Sequence, residues 1–577
     1  MSSRTAASAM VIDWDVPIRM DDGVILRAEV YRPKLPGRFP AIVSYGPYGK
    51  GLHFEDGYKT AWDIMARDFP DTIANTTNAY QTWEVVDPEK WVPHGYVCVR
   101  VDSRGCGRSP GVIDHHSPRE TRDFHDCIEW SGTQSWSNGK VGLAGISYYA
   151  ANQWRVAGLQ PPHLAAICAW EGFADRYRDS CHHGGIVSTF QKHWQTMQVM
   201  TVQHGVGARG KRSRATGELV CGPETLSEEE LARNVIPLWD EILGHQFNDD
   251  YYKVRSADWS KVKVPLLSCG NWGGAGLHLR GNVEAFVQAA SSQKWLELHG
   301  GTHWAIFYTD YANALQKRFF DHFLKGEQNG WDKQPRVILN VRHPGEKFAR
   351  RDEAEWPIAR TRWTALHLQP DGKTLADSPA GDGQISFAAF GDGLTFSTPP
   401  FTCETEITGP LAAKLSVSSS TVDADLFLVL RLFDLEGKEV TFQGALDPHA
   451  PVAQGWLRAS HRKLDLERSL PYRPYHVHDE KWPLTPSQPV ELDIEIWPTS
   501  IVVPVGYTLA LTVRGKDYEW DGPPGALSNM KNPMRGCGPF VHDEPLDRPP
   551  DIFGGETTLH FGDGLPCYVM LPVVPER

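Results

Sequence analysis

The chain has no Cys-x-x-Cys pair: its ten cysteines are scattered singly through 577 residues. That spacing offers no zinc site. Cys98, Cys168 and Cys269 fall inside apolar, strand-like runs, as buried free thiols in a reducing compartment would, so a cytoplasmic location is expected. No segment approaches the ~20 apolar residues that a bilayer span needs, and no membrane partner is expected. The first residues, Met1-Ser-Ser-Arg-Thr-Ala-Ala-Ser-Ala-Met10, lack the apolar core of a secretory signal. Positive charge is also scarce. A net charge of -13 argues against a nucleic-acid partner, and the one basic run, Arg209-Gly-Lys-Arg-Ser-Arg214, reads as a solvated loop. There is no internal repeat and no low-complexity tract. Cys181-His182-His183 is the nearest approach to a metal motif, but adjacent side chains rarely converge on one ion. Neither a metal nor a cofactor is expected.

An apolar content of 41% and a charged content of 22% describe an ordinary globular protein, and the length calls for two or three domains. Short β-branched runs close on turn residues at Phe39–Tyr45, Gly95–Asp102, Leu164–Trp170, Val264–Gly270 and Lys294–Gly300. Helix-period segments follow at Tyr148–Leu159, Gly281–Ser291 and Tyr311–Lys325. Continuous apolar strands alternating with helices predict a doubly wound, largely parallel α/β sheet. From Arg176 to about Lys261 the strand pattern stops, and Ser227-Glu-Glu-Glu reads as a helix start. Beyond about Gln334, alternating strands such as Ala424–Asp434, Val490–Ile496 and Tyr507–Val513 predict an all-β sandwich.

Val141-Gly-Leu-Ala-Gly-Ile-Ser147-Tyr-Tyr-Ala150 carries the chemistry. An apolar strand ends in Gly-Ile-Ser and a helix follows, the turn on which an α/β-hydrolase exposes its nucleophile. Gly145 has no Cβ and lets the backbone fold sharply behind Ser147. The usual pattern has a small residue two places after the serine, where this chain has Tyr149. In a parallel sheet the reacting groups gather at the carboxyl ends of the strands, and His303 follows the last strand through Gly300-Gly301-Thr302. Of 23 histidines it is the candidate general base. Tyr149, Trp170, Phe173, Trp272 and Trp304 flank the strand ends and are expected to line an apolar or aryl substrate pocket, or to pack beneath the insertion.

Asp102-Ser-Arg-Gly-Cys-Gly-Arg-Ser-Pro-Gly111, Gly145-Ile-Ser-Tyr148 with Gln153-Trp154, Gly46-Pro-Tyr-Gly-Lys50, the His303 turn, Leu457–Arg462 and Ile496–Ser500 together resemble the cocaine esterase and X-prolyl dipeptidyl-peptidase (CocE/NonD) family of serine hydrolases. The resemblance covers nearly the whole chain. It implies an α/β-hydrolase domain (residues 1–175 and 262–335), a helical cap (176–261) and a C-terminal jelly-roll β-sandwich (336–577). It implies an oxyanion hole formed by the Tyr48 hydroxyl and the backbone N–H of Tyr148, whose donors meet the charge of the tetrahedral intermediate. The family's usual acid is an aspartate after the seventh strand; here Gly270-Asn-Trp-Gly-Gly274 puts Gly273 in its place. Glu171, at the end of the preceding strand, is the expected replacement, with Asp175 as the alternative and Asn271 as an uncharged orienting group. The expected reaction is two-step acyl transfer from a small-molecule ester or amide to water, through a Ser147 acyl-enzyme. Esterase activity is preferred. X-prolyl dipeptidyl peptidase and amide or β-lactam acyl transfer are the enzymatic alternatives, and a ligand-binding protein on a disabled hydrolase fold is the alternative of another class. A homodimer is compatible with these features.

Overall fold

The computed structural model describes residues 10–527 and 534–576. The first half is built on a ten-stranded mixed sheet. In chain order its strands are β1 (Met10–Arg19), β2 (Ile25–Pro33), β3 (Phe39–Gly46), β4 (Val97–Asp102), β5 (Ser137–Ile146), β6 (Leu164–Trp170), β7 (Leu266–Asn271), β8 (Lys294–His299), β9 (Val337–His343) and β10 (Lys347–Glu353). They lie in the order β1-β2-β4-β3-β5-β6-β7-β8-β9-β10. From β4 through β9 neighbours run parallel, while β1, β2 and β10 are antiparallel additions at the edges. The inner strands are buried along nearly their whole length, which is why they read as continuous apolar runs rather than alternating ones.

Helices α1 (Pro118–Thr133), α2 (Tyr148–Gly158), α3 (Leu279–Gln288) and α4 (Asp310–Phe320) pack against the sheet. Ser117 caps α1 by accepting from the Glu120 N–H. The parallel strands all point their carboxyl ends the same way, so the loops after β3, β5, β6, β7 and β8 converge on one rim.

The first sheet runs past the expected boundary at residue 335. Val337, Ile338 and Leu339 pair in parallel with Leu296, Glu297 and Leu298 of β8, and β10 returns antiparallel through a Pro-Gly turn. The buried edge of β8 needs a partner for its backbone, and Val337–Val341 supplies one. The remaining C-terminal strands form a twelve-stranded, wholly antiparallel system. Its core is drawn from alternate residues such as Leu411, Ala413, Leu415 and Leu426, Leu428, Leu430.

Residues 176–261 leave the sheet between β6 and β7. They carry short helical turns at Phe190–Trp194, Glu228–Arg233 and Leu238–Gly244, and a two-strand ribbon, His182–His183 with Ile186–Val187, which the sequence pattern does not announce. The expected helix start is a capping box, with Ser227 and Glu230 bonded reciprocally.

This segment meets the C-terminal half along a seam rich in buried histidine. His183 Nδ1 lies 2.8 Å from His542 Nε2, Tyr177 stacks on His182 at 4.4 Å, and His461 and His478 face one another at 3.1 Å. The Arg178 guanidinium donates to the His476 and Val477 carbonyls. The two motifs from the C-terminal half are fasteners of this region. Arg458 pairs with Asp425 and Asp547, and buried Arg342 of β9 donates to Ser500 O, Thr499 Oγ1 and Val452 O.

Burial pushes His182, His183 and His476 down to about 3. It also holds His461 and His478 well below the ordinary imidazole value. A histidine depressed in the folded state binds its proton sooner when unfolded, so each contributes stability that is lost as pH falls below ~6.5, at about 1.4 kcal/mol per pH unit. The thermal midpoint is expected to drop steeply between about pH 6.5 and 4. Neither ring nitrogen of His182 has a hydrogen-bond partner among the described residues, so His182→Phe should keep the fold and flatten the acid limb by one proton. An unchanged slope in that variant, measured by calorimetry against pH, would show that the seam does not control acid stability.

Candidate active site

Ser147 sits between β5 and α2 at φ 58°, ψ −111°, a left-handed-side conformation that a non-glycine residue adopts only when its surroundings hold it there. The hold is visible. The Ser147 N–H donates to Trp170 O and Glu171 O at 3.1 Å, while its carbonyl accepts from Ala150 and Ala151. Tyr149 fits two residues on because its neighbours are glycines. A Cβ on Gly46 would lie 2.5 Å from the Tyr149 ring, and one on Gly145 would lie 2.4 Å from the Tyr149 Cβ.

The loop after β3 brings in Tyr48. Its backbone is locked by the Asp102 carboxylate, which accepts from the Lys50 N–H at 2.6 Å, from Lys50 Nζ at 2.9 Å and from the Arg108 N–H at 2.9 Å. A Cβ on Gly107 would collide with that carboxylate at 2.3 Å. Two of the motifs singled out in the sequence thus interlock and fix the tyrosine. Trp194 Nε1 donates to the Tyr48 hydroxyl at 3.1 Å, which leaves the phenolic proton free to be donated. Burial, reinforced by the charge of Glu84, keeps that phenol protonated. Tyr148 opens α2, so its N–H has no intrahelical acceptor. Its side chain points away from the cavity and donates to Glu120 at 2.7 Å.

Glu171, at φ 50°, directly follows β6 and is fully buried. One carboxylate oxygen lies 2.7 Å from His303 Nδ1. The other lies 3.2 Å from His299 Nε2 and accepts from Asn271 Nδ2 at 3.2 Å. His299 Nδ1 in turn meets Glu297 at 2.7 Å. Burial alone would raise the Glu171 carboxyl, but the charges and hydrogen bonds of His303 and His299 outweigh it and bring it down to about 2. Carboxylates overcome burial at the imidazoles: Glu297 and Glu171 push His299 up to about 9, and Glu171 and Glu84 push His303 up to about 10. The alternative acid, Asp175, is engaged elsewhere: it caps the following turn and pairs with Arg178 at 2.6 Å.

Gly273 cannot carry an acid. A Cβ there would lie 2.4 Å from the Gly444 Cα, because a loop of the C-terminal half packs flat against it. Ala445 donates its N–H to Gly273 O at 3.0 Å and accepts the His303 N–H at 2.9 Å.

Two groups that the sequence reading did not select complete the site. Ser147 Oγ is hydrogen-bonded to His278 Nε2 at 3.2 Å, and His303 Nε2 faces Glu84 Oε1 at 3.0 Å. The His278 and His303 rings are stacked, 4.8 Å apart and within 4° of parallel. Burial and the neighbouring His303 hold His278 well below the ordinary imidazole value, while burial raises Glu84 to about 7. His278 lies in the same post-β7 loop that is expected to hold the acid; attention to any titratable group there would have found it. No local pattern marks Glu84, which enters from a turn at φ 64° tied to β5 by Ile146 N–H donating to its carbonyl at 3.0 Å.

The cavity over Ser147 is lined by Tyr48, Tyr58, Trp83, Phe190, Trp194 and Leu446, with Glu84, His278 and His303. It leaves about 30 Å³ for the centres of water-sized spheres, room for about two waters. The five aromatics expected to line it do not. Trp170 stacks on His299, Phe173 meets His116 edge to face, and Trp272 lies tilted against Trp356. Trp304 donates to Ala61 O, and Tyr149 packs against Tyr48. Strand-end aromatics fill the layers beside the sheet, and the cavity's rings come from loops and the 176–261 segment.

Glu171, His278 and His303 each offer a ligand atom within 4.8 Å of the others. His303 Nδ1 and Glu171 are hydrogen-bonded at 2.7 Å and His278 Nε2 is bonded to Ser147 Oγ; the former contact is closer than the roughly 3.3 Å between neighbouring ligands of tetrahedral zinc.

A serine on a strand-to-helix elbow beside a buried imidazole–carboxylate pair is the arrangement that a serine hydrolase on an α/β sheet requires. The family model for the X-Pro dipeptidyl-peptidase (S15 family) matches residues 22–305, and that for the X-Pro dipeptidyl-peptidase C-terminal non-catalytic domain matches residues 329–531. A CocE/NonD family hydrolase from Staphylococcus aureus superposes with a TM-score of 0.83 at 32% identity, covering 98% of this chain and 94% of that one. The chain belongs to the CocE/NonD family of hydrolases. Among sequence relatives, the cocaine esterase of a Rhodococcus species is 26% identical over 71% of this chain and 78% of its own length. The Xaa-Pro dipeptidyl-peptidase of Lactobacillus helveticus is 20% identical over 85% of this chain and 71% of its own length.

Restoring the family's aspartate is expected to fail. Gly273→Asp should destabilise the protein by about 1–3 kcal/mol through overpacking and should not rescue a Glu171→Gln variant. Rescue of hydrolysis in the double variant would show that the Gly444–Ala445 loop can move aside.

Proposed function

We propose that the enzyme hydrolyses carboxylic esters of apolar or aryl small molecules through a Ser147 acyl-enzyme. The observation that carries this is the 2.7 Å His303–Glu171 pair in the same cavity as the Ser147 elbow. His303 is the general base, because it alone of the two imidazoles has a carboxylate to fix its tautomer and stabilise its cation. It takes the Ser147 proton as Oγ attacks the carbonyl, then gives it to the leaving alcohol. Water repeats the sequence and releases the acid. Tyr48 and the Tyr148 N–H meet the oxyanion.

At rest, Glu84 occupies His303 Nε2 and His278 holds the serine hydroxyl. Glu84 is then a positioning residue, which must release Nε2 before His303 can accept a proton. Residues 176–261 act as a cap, supported by Phe190, Trp194 and Gln198 in the cavity wall. The C-terminal antiparallel half acts as a jelly-roll support. Ten free cysteines, nine of them buried, support a cytoplasmic setting. No described helix is long and apolar enough to cross a membrane.

Peptidase activity is the second reading, favoured by Glu84 as the one carboxylate lining the cavity among the described residues. The cap acids Glu228, Glu229 and Glu230 do not serve it, since they are exposed on a helix start and engaged with Arg209, Arg233 and Ser227. Turnover of Gly-Pro-para-nitroanilide faster than of para-nitrophenyl esters would reverse the preference.

A fluorophosphonate probe should label Ser147, and Ser147→Ala and His303→Asn should each lose about 10⁴-fold or more in kcat, with His278→Asn losing far less. The opposite order for the two histidines would make His278 the base. Because His303 must be neutral to act and is raised by both carboxylates, kcat/KM should keep rising above the ~6.5 of a free imidazole. Glu84→Gln removes one of those carboxylates and should move the inflexion to lower pH; an inflexion that stays put would free Glu84 of this role.

A further inference from the structure

Beside the catalytic cavity lies a second chamber of about 330 Å³. Tyr58 and Gln198 belong to the walls of both, so the two spaces adjoin at these side chains. Tyr58 is held from behind by Trp83, stacked at 4.1 Å. The inner wall of the outer chamber is apolar, formed by Leu52, Met197, Val202 and Val206, and its rim carries Arg209 and Lys211 with no acid in the lining. These cations belong to the basic run of 209–214, which the sequence suggests is only a solvated loop.

The lining itself carries two cations and no carboxylate among the described residues, in a protein of net charge -13. Glu55 and Asp56 pair with Arg214, Glu218 with Arg108, Glu224 with His204, and Glu228 with Arg209. Lys211 Nζ donates only to the Asp56 backbone carbonyl, and Arg212 donates to Gly217 O at 2.9 Å. Neither has a carboxylate partner among the described residues.

From this arrangement we infer that the outer chamber binds the distal part of the substrate, and that this part is an apolar chain or ring ending in a carboxylate held by Lys211 and its basic neighbours. The inference rests on the ester-hydrolase reading and names its substrate class: half-esters and other anionic esters rather than neutral or cationic ones. Gln198 and Tyr58 form the passage between the scissile carbonyl and the anionic end.

Three matched para-nitrophenyl esters test it, the acyl chain ending in carboxylate, methyl ester or trimethylammonium, with a parallel series carrying the same groups on the alcohol. In one series the wild-type enzyme should prefer the carboxylate over the methyl ester by roughly 3–10-fold in kcat/KM, expressed in KM, as for a partly exposed ion pair. Raising ionic strength should shrink that ratio, and so should Lys211→Gln. A ratio near one, or a preference for trimethylammonium, in both series would overturn the inference while turnover of the methyl ester left the hydrolase reading intact. No turnover of any ester and no labelling of Ser147 would overturn both. The salt dependence uses the wild-type protein and decides the matter even if the variant does not fold.

Discussion

A carboxylate wholly removed from water and clasped by two imidazoles governs the catalytic end of this protein. Glu171 touches His303 at 2.7 Å and His299 at 3.2 Å, and Asn271 donates to it as well. Breaking one side of a buried charge network leaves an uncompensated ion and is far more damaging than losing a surface pair. That constraint explains why Ser147 and Glu171 both accept unfavourable positive φ values: the Ser147 N–H is bonded to the carbonyls of Trp170 and Glu171, so elbow and acid brace one another across β5 and β6. It also explains the second tier, in which Glu297 holds His299 so that His299 can hold Glu171.

That the proposed acid stands at the end of β6, and none at Gly273 after β7, is a packing matter. At position 273 the backbone of Gly444 and Ala445 lies against the glycine, and Leu446 continues into the cavity wall. The C-terminal half thereby furnishes part of the active site's surface, and its Ala445 carbonyl receives the His303 N–H. A neighbouring strand end is the nearest place from which a carboxylate can still reach Nδ1 of the same histidine.

Much of this was legible in the sequence because it depends on local pattern. Inner strands buried on both faces must be continuous runs of apolar residues, so β3 to β8 stand out, and the Gly-Ile-Ser turn marks its own place on the sheet. Glu171 could be chosen because it directly follows β6. Features set by distant packing were not legible. Glu84 and His278 acquire their roles from contacts with residues 219 and 131 positions away. The strand-end aromatics looked like a pocket because the sequence does not say which layer a ring enters. The strand at Val337 resembled the β-rich texture that follows it, and only the open edge of β8 assigns it to the first sheet.

The strap of 444–446 across Gly273 also bears on how such proteins can be recombined. A chimera joining the first half of this chain to the second half of a relative that keeps the aspartate would lose the backbone packing that closes on Gly273. The reciprocal chimera would drive an aspartate into peptide backbone. The residue at 273 and the backbone at 444 and 445 are therefore coupled in packing, though separated by about a third of the chain.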